Sequence, residues 1–338
     1  TSPQEAQLVF KQAADQGIRY IAQGNGSSVA LALSDAVAKH NERYPDRSVI
    51  FLNYAAVDPA LTNDKCNYWH FRFDADGDMK MQALTTYMAT QKSIKKVYLI
   101  NQDYSFGQAV SKAARAMLAA KRPDIEIVGD DLHPLGKVKD FAPYIAKIKA
   151  AGADSVITGN WGNDLALLIK ANKEAGLKVD FYTYYTGAAG AVTAFGEAGA
   201  GHVKQVTTWH SNIGGKAAGE HNAEYRARYP EAQDDLYYST VRESVNALAL
   251  AIDKAGSADP AKVVPVLENL KFEDDSGPVY FRADNHQLIQ PLYVSTLVKA
   301  NGKDVKFDVD KSGLGFRTDA RIEGKDTVMP TTCKFQKP

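Results

Sequence analysis

The feature that most constrains this chain is the alternation of short apolar runs with amphipathic stretches through its first two hundred residues. Runs 18–22 (IRYIA), 48–53 (SVIFLN), 96–101 (KVYLIN), 125–128 (IEIV), 155–158 (SVIT) and 180–183 (DFYT) each read as a strand. Between them, 27–44, 106–120, 141–151 and 163–175 repeat apolar residues at helical spacing. Strand and helix taking turns predicts parallel sheets covered by helices on both faces. With 338 residues, of which 45% are apolar and 24% charged, the chain is globular in composition and long enough for two domains.

Both ends break the rhythm. Pro3 stands where a first helical turn tolerates proline, and Leu8, Val9, Phe10, Ala13 and Ala14 recur at helical spacing, so a helix is predicted at the start. Neither an initiator methionine nor a signal segment precedes it, and processing or truncation is the expectation. Beyond position 200, helices are predicted over 218–229 and 238–255, with Val245, Leu248 and Ile252 of the second facing the core. Strands follow at 279–281 and 292–298, then a loop-rich tail of glycine, lysine and aspartate.

Several functions are excluded. Lysine plus arginine equals aspartate plus glutamate at 40 each, which argues against a nucleic-acid partner. No run of ~18 apolar residues is present, so no membrane span is expected. His40 ends a helix, where a cation is favoured, and His70, His133, His202, His210, His221 and His286 are scattered without metal-like spacing. Gly214-Gly215-Lys216 continues with Ala217 where a phosphate loop needs serine or threonine. No G-x-S-x-G elbow, nucleophile with base, or metal set appears. The chain is therefore read as no enzyme, with no cofactor. Two cysteines are too few for a disulfide scaffold or a four-thiolate zinc site; one long-range bridge in an oxidising compartment stays open.

Two features point to ligand binding. Gly24-Asn25-Gly26-Ser27-Ser28 lies between a predicted strand and helix, where backbone N–H groups and the helix dipole favour an anion; a capped tight turn is the alternative. Val29 stands where a dinucleotide fingerprint needs its third glycine. Aromatic residues gather at predicted strand ends: Tyr54, Tyr104, Phe106, Trp161, Tyr184 and Tyr185. In open α/β sheets ligands bind outside the carboxyl ends of strands, so this set suits an apolar ligand body.

Residues 18–36 (IRYIAQGNGSSVALALSDA), 53–62 (NYAAVDPALT), 97–107 (VYLINQDYSFG), 140–154 (DFAPYIAKIKAAGAD), 161–178 (ending AGLK) and 277–293 together resemble periplasmic substrate-binding proteins of branched-chain amino-acid type ABC transporters. The resemblance covers nearly the whole chain in family order. It implies an α/β type I periplasmic-binding-protein fold: two doubly wound lobes joined by three crossovers, near 74–78, 207–210 and 290–292, and closing on ligand by hinge motion. It also implies a strand, helix and strand ahead of Ser2; the expectation is a longer mature protein, or a second chain that completes that lobe. The implied lobes are 1–76 with 208–290, and 77–207 with 291–314, leaving 315–338 as a tail near the hinge.

Family site positions carry over one at a time. The serine gripping a ligand carboxylate resembles Ser27, with Ser28 and Asn25 beside it and Tyr54 nearby. The next loop's backbone carbonyl resembles that of Ala55, and the position often held by threonine is Val57. On the second lobe the first aromatic resembles Phe106, beside Tyr104, with Trp161 as its neighbour across the cleft. The position of the acid that pairs with a ligand amine is Tyr185, and a further aromatic position falls at or near Arg242. Losing a threonine and a carboxylate removes the partners of an ammonium, whose burial unpaired is costly. Arg242 offers a fork for a carboxylate, unless Glu243 or another acid takes it. The implied ligand is a small carboxylate with an apolar or aromatic body, or an amide-like relative; an amino acid is the alternative.

The implied protein is the periplasmic or otherwise extracytoplasmic solute-binding component of an importer, partnered by an ABC transporter permease. An extracytoplasmic sensor on the same fold is the second reading. In that compartment a Cys66–Cys333 disulfide is predicted, holding the tail.

Overall fold

Ser2 opens the first helix of the computed structural model, which describes residues 2–24, 26–237 and 239–338. Its hydroxyl accepts from the Glu5 amide at 3.2 Å while the Glu5 carboxylate accepts from the Ser2 amide at 2.8 Å, a reciprocal cap. From there the first segment runs α1 (Pro3–Asp15), β1 (Tyr20–Gln23), α2 (Ser27–Arg43), β2 (Ile50–Asn53) and β3 (His70–Arg72). The second runs α3 (Gly77–Thr90), β4 (Lys96–Gln102), α4 (Ser105–Lys121), β5 (Glu126–His133), α5 (Ala142–Ala150), β6 (Ser155–Thr158), α6 (Gly162–Glu174), β7 (Asp180–Thr183), α7 (Ala191–Phe195), β8 (Val203–Thr207) and α8 (Lys216–Arg228). The third comprises α9 (Ser239–Ala255), α10 (Pro260–Leu267), β9 (Lys271–Asp274), β10 (Gly277–Phe281) and β11 (Leu288–Ile289). The last strands are β12 (Leu292–Lys299) and β13 (Leu314–Ile322).

The chain divides into two units, Thr1–Gly77 with Ser239–Gln290 and Val328–Pro338, and Asp78–Tyr238 with Pro291–Thr327. In the first unit β1, β2 and β3 form a parallel sheet in that order, and β11, β10 and β9 an antiparallel one. Phe51, Phe71, Val264, Leu267 and Phe281 lie in its core. Arg72, fully buried, donates to the Gln287 side chain and the Asp58 carbonyl at 2.7 Å each, so the cation is not left unsatisfied. In the second unit seven strands run in the order β13-β12-β8-β7-β6-β4-β5, parallel from β5 through β8 and antiparallel at β12 and β13. Ile100, Val156, Leu165, Phe181 and Phe316 lie in that core.

Three expectations need correction. Residues 208–238 belong to the second unit, because α8 and its flanks are bonded there: Asn212 donates to the Phe307 carbonyl at 2.8 Å, and Arg226 donates to the Asp308 carbonyl at 2.5 Å. The corresponding boundary therefore lies after Tyr238 rather than at 207–210, and a fourth follows Thr327. The expected tail is partly a strand: β13 pairs with β12 from Leu292↔Ile322 to Lys299↔Leu314, which buries Leu314 and Phe316. Only Val328–Pro338 joins the first unit. Finally, Val245 is 59% exposed. The buried face of α9 is Thr240, Glu243, Ser244, Ala247 and Ala251, with Leu248 and Ile252 against the core edge.

Among the described residues no helix is long and apolar enough to cross a membrane.

Candidate functional site

β1 and β2 are parallel neighbours, so the loops at their carboxyl ends lie side by side in the first unit. A Cβ on Gly24 would stand 2.5 Å from the Ala55 nitrogen and 2.9 Å from the Tyr54 ring, so only glycine permits this approach. Gly26 caps α2 with φ +83° and supplies no side-chain cap. The first turn of α2 thus has donors that its own cap residue does not satisfy, at the positive end of the helix. Ser27 is buried in that turn and Ser28 is exposed. Asn25 lies outside the described residues.

Asn53, which sequence reasoning did not single out, shapes the second loop. Its side-chain oxygen accepts from the Ala55 and Ala56 amides at 3.3 and 2.8 Å, while its amide donates to the Ala56 carbonyl at 2.9 Å. Its other neighbour is the His70 ring nitrogen at 3.2 Å. An asparagine closing an apolar strand was the available signal. Val57 is fully buried, and its carbonyl accepts from the Gly77 amide at 2.8 Å.

Arg242 pairs with Asp275 at 2.7 Å, an acid of the same unit that is itself mostly buried. This favours the ion-pair alternative over a role on the ligand. Next to it, burial and the charge of Asp274 push the Glu243 carboxyl well above the usual carboxylate range, while the Ser239 hydroxyl donates to it at 2.6 Å.

In the second unit the aromatic residues do come together. Tyr104 and Phe106 follow β4, Trp161 follows β6, and Tyr184 and Tyr185 follow β7, three adjacent parallel strands. Phe106 is buried and meets Tyr184, Tyr185 and Tyr104 edge-on, with ring centroids 5.5, 5.9 and 6.0 Å away. Trp161 is fixed from two sides: its indole donates to the Tyr104 hydroxyl at 3.0 Å, and its carbonyl accepts from Gln102 at 3.3 Å. Gln102 is in turn held by Asp164 at 2.8 Å, which also accepts from the Gly136 amide. Lys80, buried in the first turn of α3, lies 5.5 Å from the centre of the Tyr185 ring. Nothing in the local sequence around Lys80 marked that position.

The disulfide joins Cys66 to Cys333 with Cα atoms 5.6 Å apart. Around it Thr331 donates to the Thr62 carbonyl at 2.9 Å, Phe335 meets the Tyr68 and His286 rings, and Lys337 pairs with Glu268 at 2.7 Å. Among the described residues no three histidine, cysteine, aspartate or glutamate side chains gather as a metal would need.

Residues 1–303 match the periplasmic binding protein family. The Leu/Ile/Val-binding protein homolog 4 of Brucella melitensis is 30% identical over 334 residues, 97% of this chain and 79% of that protein. A solved structure of the leucine-, isoleucine-, valine-, threonine- and alanine-binding protein of Brucella ovis, in a closed conformation, superposes with a TM-score of 0.90 at 29% identity, covering 100% of this chain and 86% of that one. A solute-binding protein of an R. palustris ABC transporter, solved with 4-hydroxybenzoate, shares the fold at a TM-score of 0.79 and 19% identity, covering 95% of this chain and 83% of that one. The chain belongs to the periplasmic binding protein family, among the solute-binding proteins of branched-chain amino-acid type ABC transporters, and is a binding protein rather than an enzyme.

Proposed function

We propose that this solute-binding protein takes a small carboxylate with an apolar or aromatic body, lacking an α-amine, and delivers it to an ABC permease from the periplasm. The observation that carries this reading is Tyr185, a phenol ring packed edge-on against Phe106 with centroids 5.9 Å apart. Tyr185 occupies the position at which the family's amino-acid binders are expected to carry an acid for the ligand's ammonium. A phenol at that position gives an ammonium no carboxylate to pair with. Val57, where a threonine hydroxyl would assist the amine, is aliphatic and fully buried. The loops beside Ser27 and Ala55, at the positive end of α2, suit a carboxylate. The rings of Tyr104, Phe106, Trp161 and Tyr185 suit a flat or apolar body. The 4-hydroxybenzoate bound by the R. palustris protein is a ligand of this class on the same fold.

A melting screen of the purified protein against amino acids, aromatic acids and short-chain acids tests the reading. Linkage at ~100 times the dissociation constant adds about 2.7 kcal/mol, so hits stand out. Hits are expected among acids without an amine; a screen in which leucine or valine alone raises the melting temperature removes the reading.

A further inference from the structure

We propose that β9 is a docking edge for a second copy of this chain. Among the described residues β9 is the terminal strand of its sheet, paired with β10 on one side only. The Phe281 amide donates to the Leu270 carbonyl at 3.1 Å, and the antiparallel register runs Phe272↔Val279 and Glu273↔Pro278. Proline has no N–H to give, so the backbone bonds toward β10 fall at 270, 272 and 274. The N–H and C=O groups of Lys271 and Glu273 therefore point outward, as an open ladder. These same residues, with Phe272, Pro278, Val279 and Tyr280, line a recess of about 490 Å³.

The sequence of the strand selects its occupant. Two antiparallel copies related by a two-fold axis through Phe272 set Lys271 against the partner's Glu273, and Glu273 against the partner's Lys271. Both pairings fall at positions whose backbone groups point outward, so each ion pair is flanked by two backbone hydrogen bonds. The two half-buried Phe272 side chains meet at the axis. A parallel in-register pairing instead sets lysine beside lysine. Isologous pairing of this kind is what a two-fold dimer requires. A four-residue strand buries less than the roughly 1,200 Å² of a stable interface, so the dimer is weak and forms only at high concentration.

Sedimentation equilibrium between about 10 μM and about 1 mM tests this, using wild type, Lys271→Glu, Glu273→Lys and the double exchange, since interfaces of this size associate weakly. Lys271 and Glu273 are exposed, so all four proteins are expected to melt alike. Wild type and the double exchange should dimerise with rising concentration, and each single variant should stay monomeric. A wild type that is monomeric throughout, a dimer indifferent to the single changes, or a double exchange that fails to restore association overturns the proposal.

Discussion

The indole N–H of Trp161 donates to the hydroxyl oxygen of Tyr104 across 3.0 Å, and each residue is the N-cap of a helix, Trp161 of α6 and Tyr104 of α4. One side-chain hydrogen bond thus ties together the loops after two adjacent strands, β4 and β6. It fixes the faces of two rings, which on the proposed reading lowers the ordering cost of binding.

Tyr104→Phe removes that acceptor while keeping the ring. A hydrogen bond of this kind contributes about 1 kcal/mol, so ligand affinity is expected to fall by about 3- to 10-fold. The melting temperature without ligand should move little. Calorimetric titration of wild type and variant with the best acid from the screen measures it; unchanged affinity means the pair only packs.

Arg242→Ala is expected to act on stability rather than on binding. The substitution takes the guanidinium away from the buried Asp275 carboxylate, which costs about 1–3 kcal/mol. Affinity should stay within about 2-fold of wild type, since a residue off the ligand contributes only indirectly. A variant that melts normally but loses ligand returns Arg242 to the ligand site.

Glu243 carries a pH dependence of known sign. Its folded carboxyl is held above the ordinary value by burial first and by Asp274 next. The folded chain therefore keeps a proton that the unfolded chain has lost. The stabilisation is complete below the unfolded value of about 4.5 and declines as pH rises toward and through the folded one. Glu243→Gln, a neutral isostere that still accepts from Ser239, should raise the melting temperature at pH 8, with the gain vanishing near pH 4. No gain at pH 8 contradicts the shift.

Cys66→Ser with Cys333→Ser opens a loop whose ends are 267 residues apart. Chain entropy gives a nominal loss of about 5 kcal/mol, and measured losses are often smaller. The hydrogen bonds and rings around the tail should soften the effect without replacing it. Proteolysis timed against the double serine variant is expected to cut Val328–Pro338 first.

Much of the architecture was legible because its signals are local. Strands 155–158 and 180–183 coincide with β6 and β7, since β-branched and aromatic residues in short runs leave little choice. The aromatic cluster of the second unit was legible too, because Tyr104, Phe106, Trp161, Tyr184 and Tyr185 each follow a strand, whereas Tyr54, grouped with them in the sequence, belongs to the first unit. What escaped depends on partners distant in sequence. β13 reads as a polar tail until β12 pairs with it, and its buried Leu314 and Phe316 stand among glycine and charge. The face of α9 was misjudged because small residues, Ala247 and Ala251, bury more fully than Val245. Asp275, the partner of Arg242, lies 33 positions along in the β9–β10 turn, and no spacing rule connects them. Lys80 near Tyr185 is likewise a product of topology.

The most direct measurement is calorimetric titration with matched pairs that differ only by the amine: 3-phenylpropanoate against phenylalanine, and 4-methylpentanoate against leucine. On the proposed reading, the phenol of Tyr185 and the aliphatic Val57 leave an ammonium without partners and favour the acid in each pair. The acid is expected to bind at least about tenfold tighter, a difference of about 1.4 kcal/mol. If leucine or phenylalanine binds tighter than its amine-free partner, the carboxylate-without-amine reading of the site is wrong.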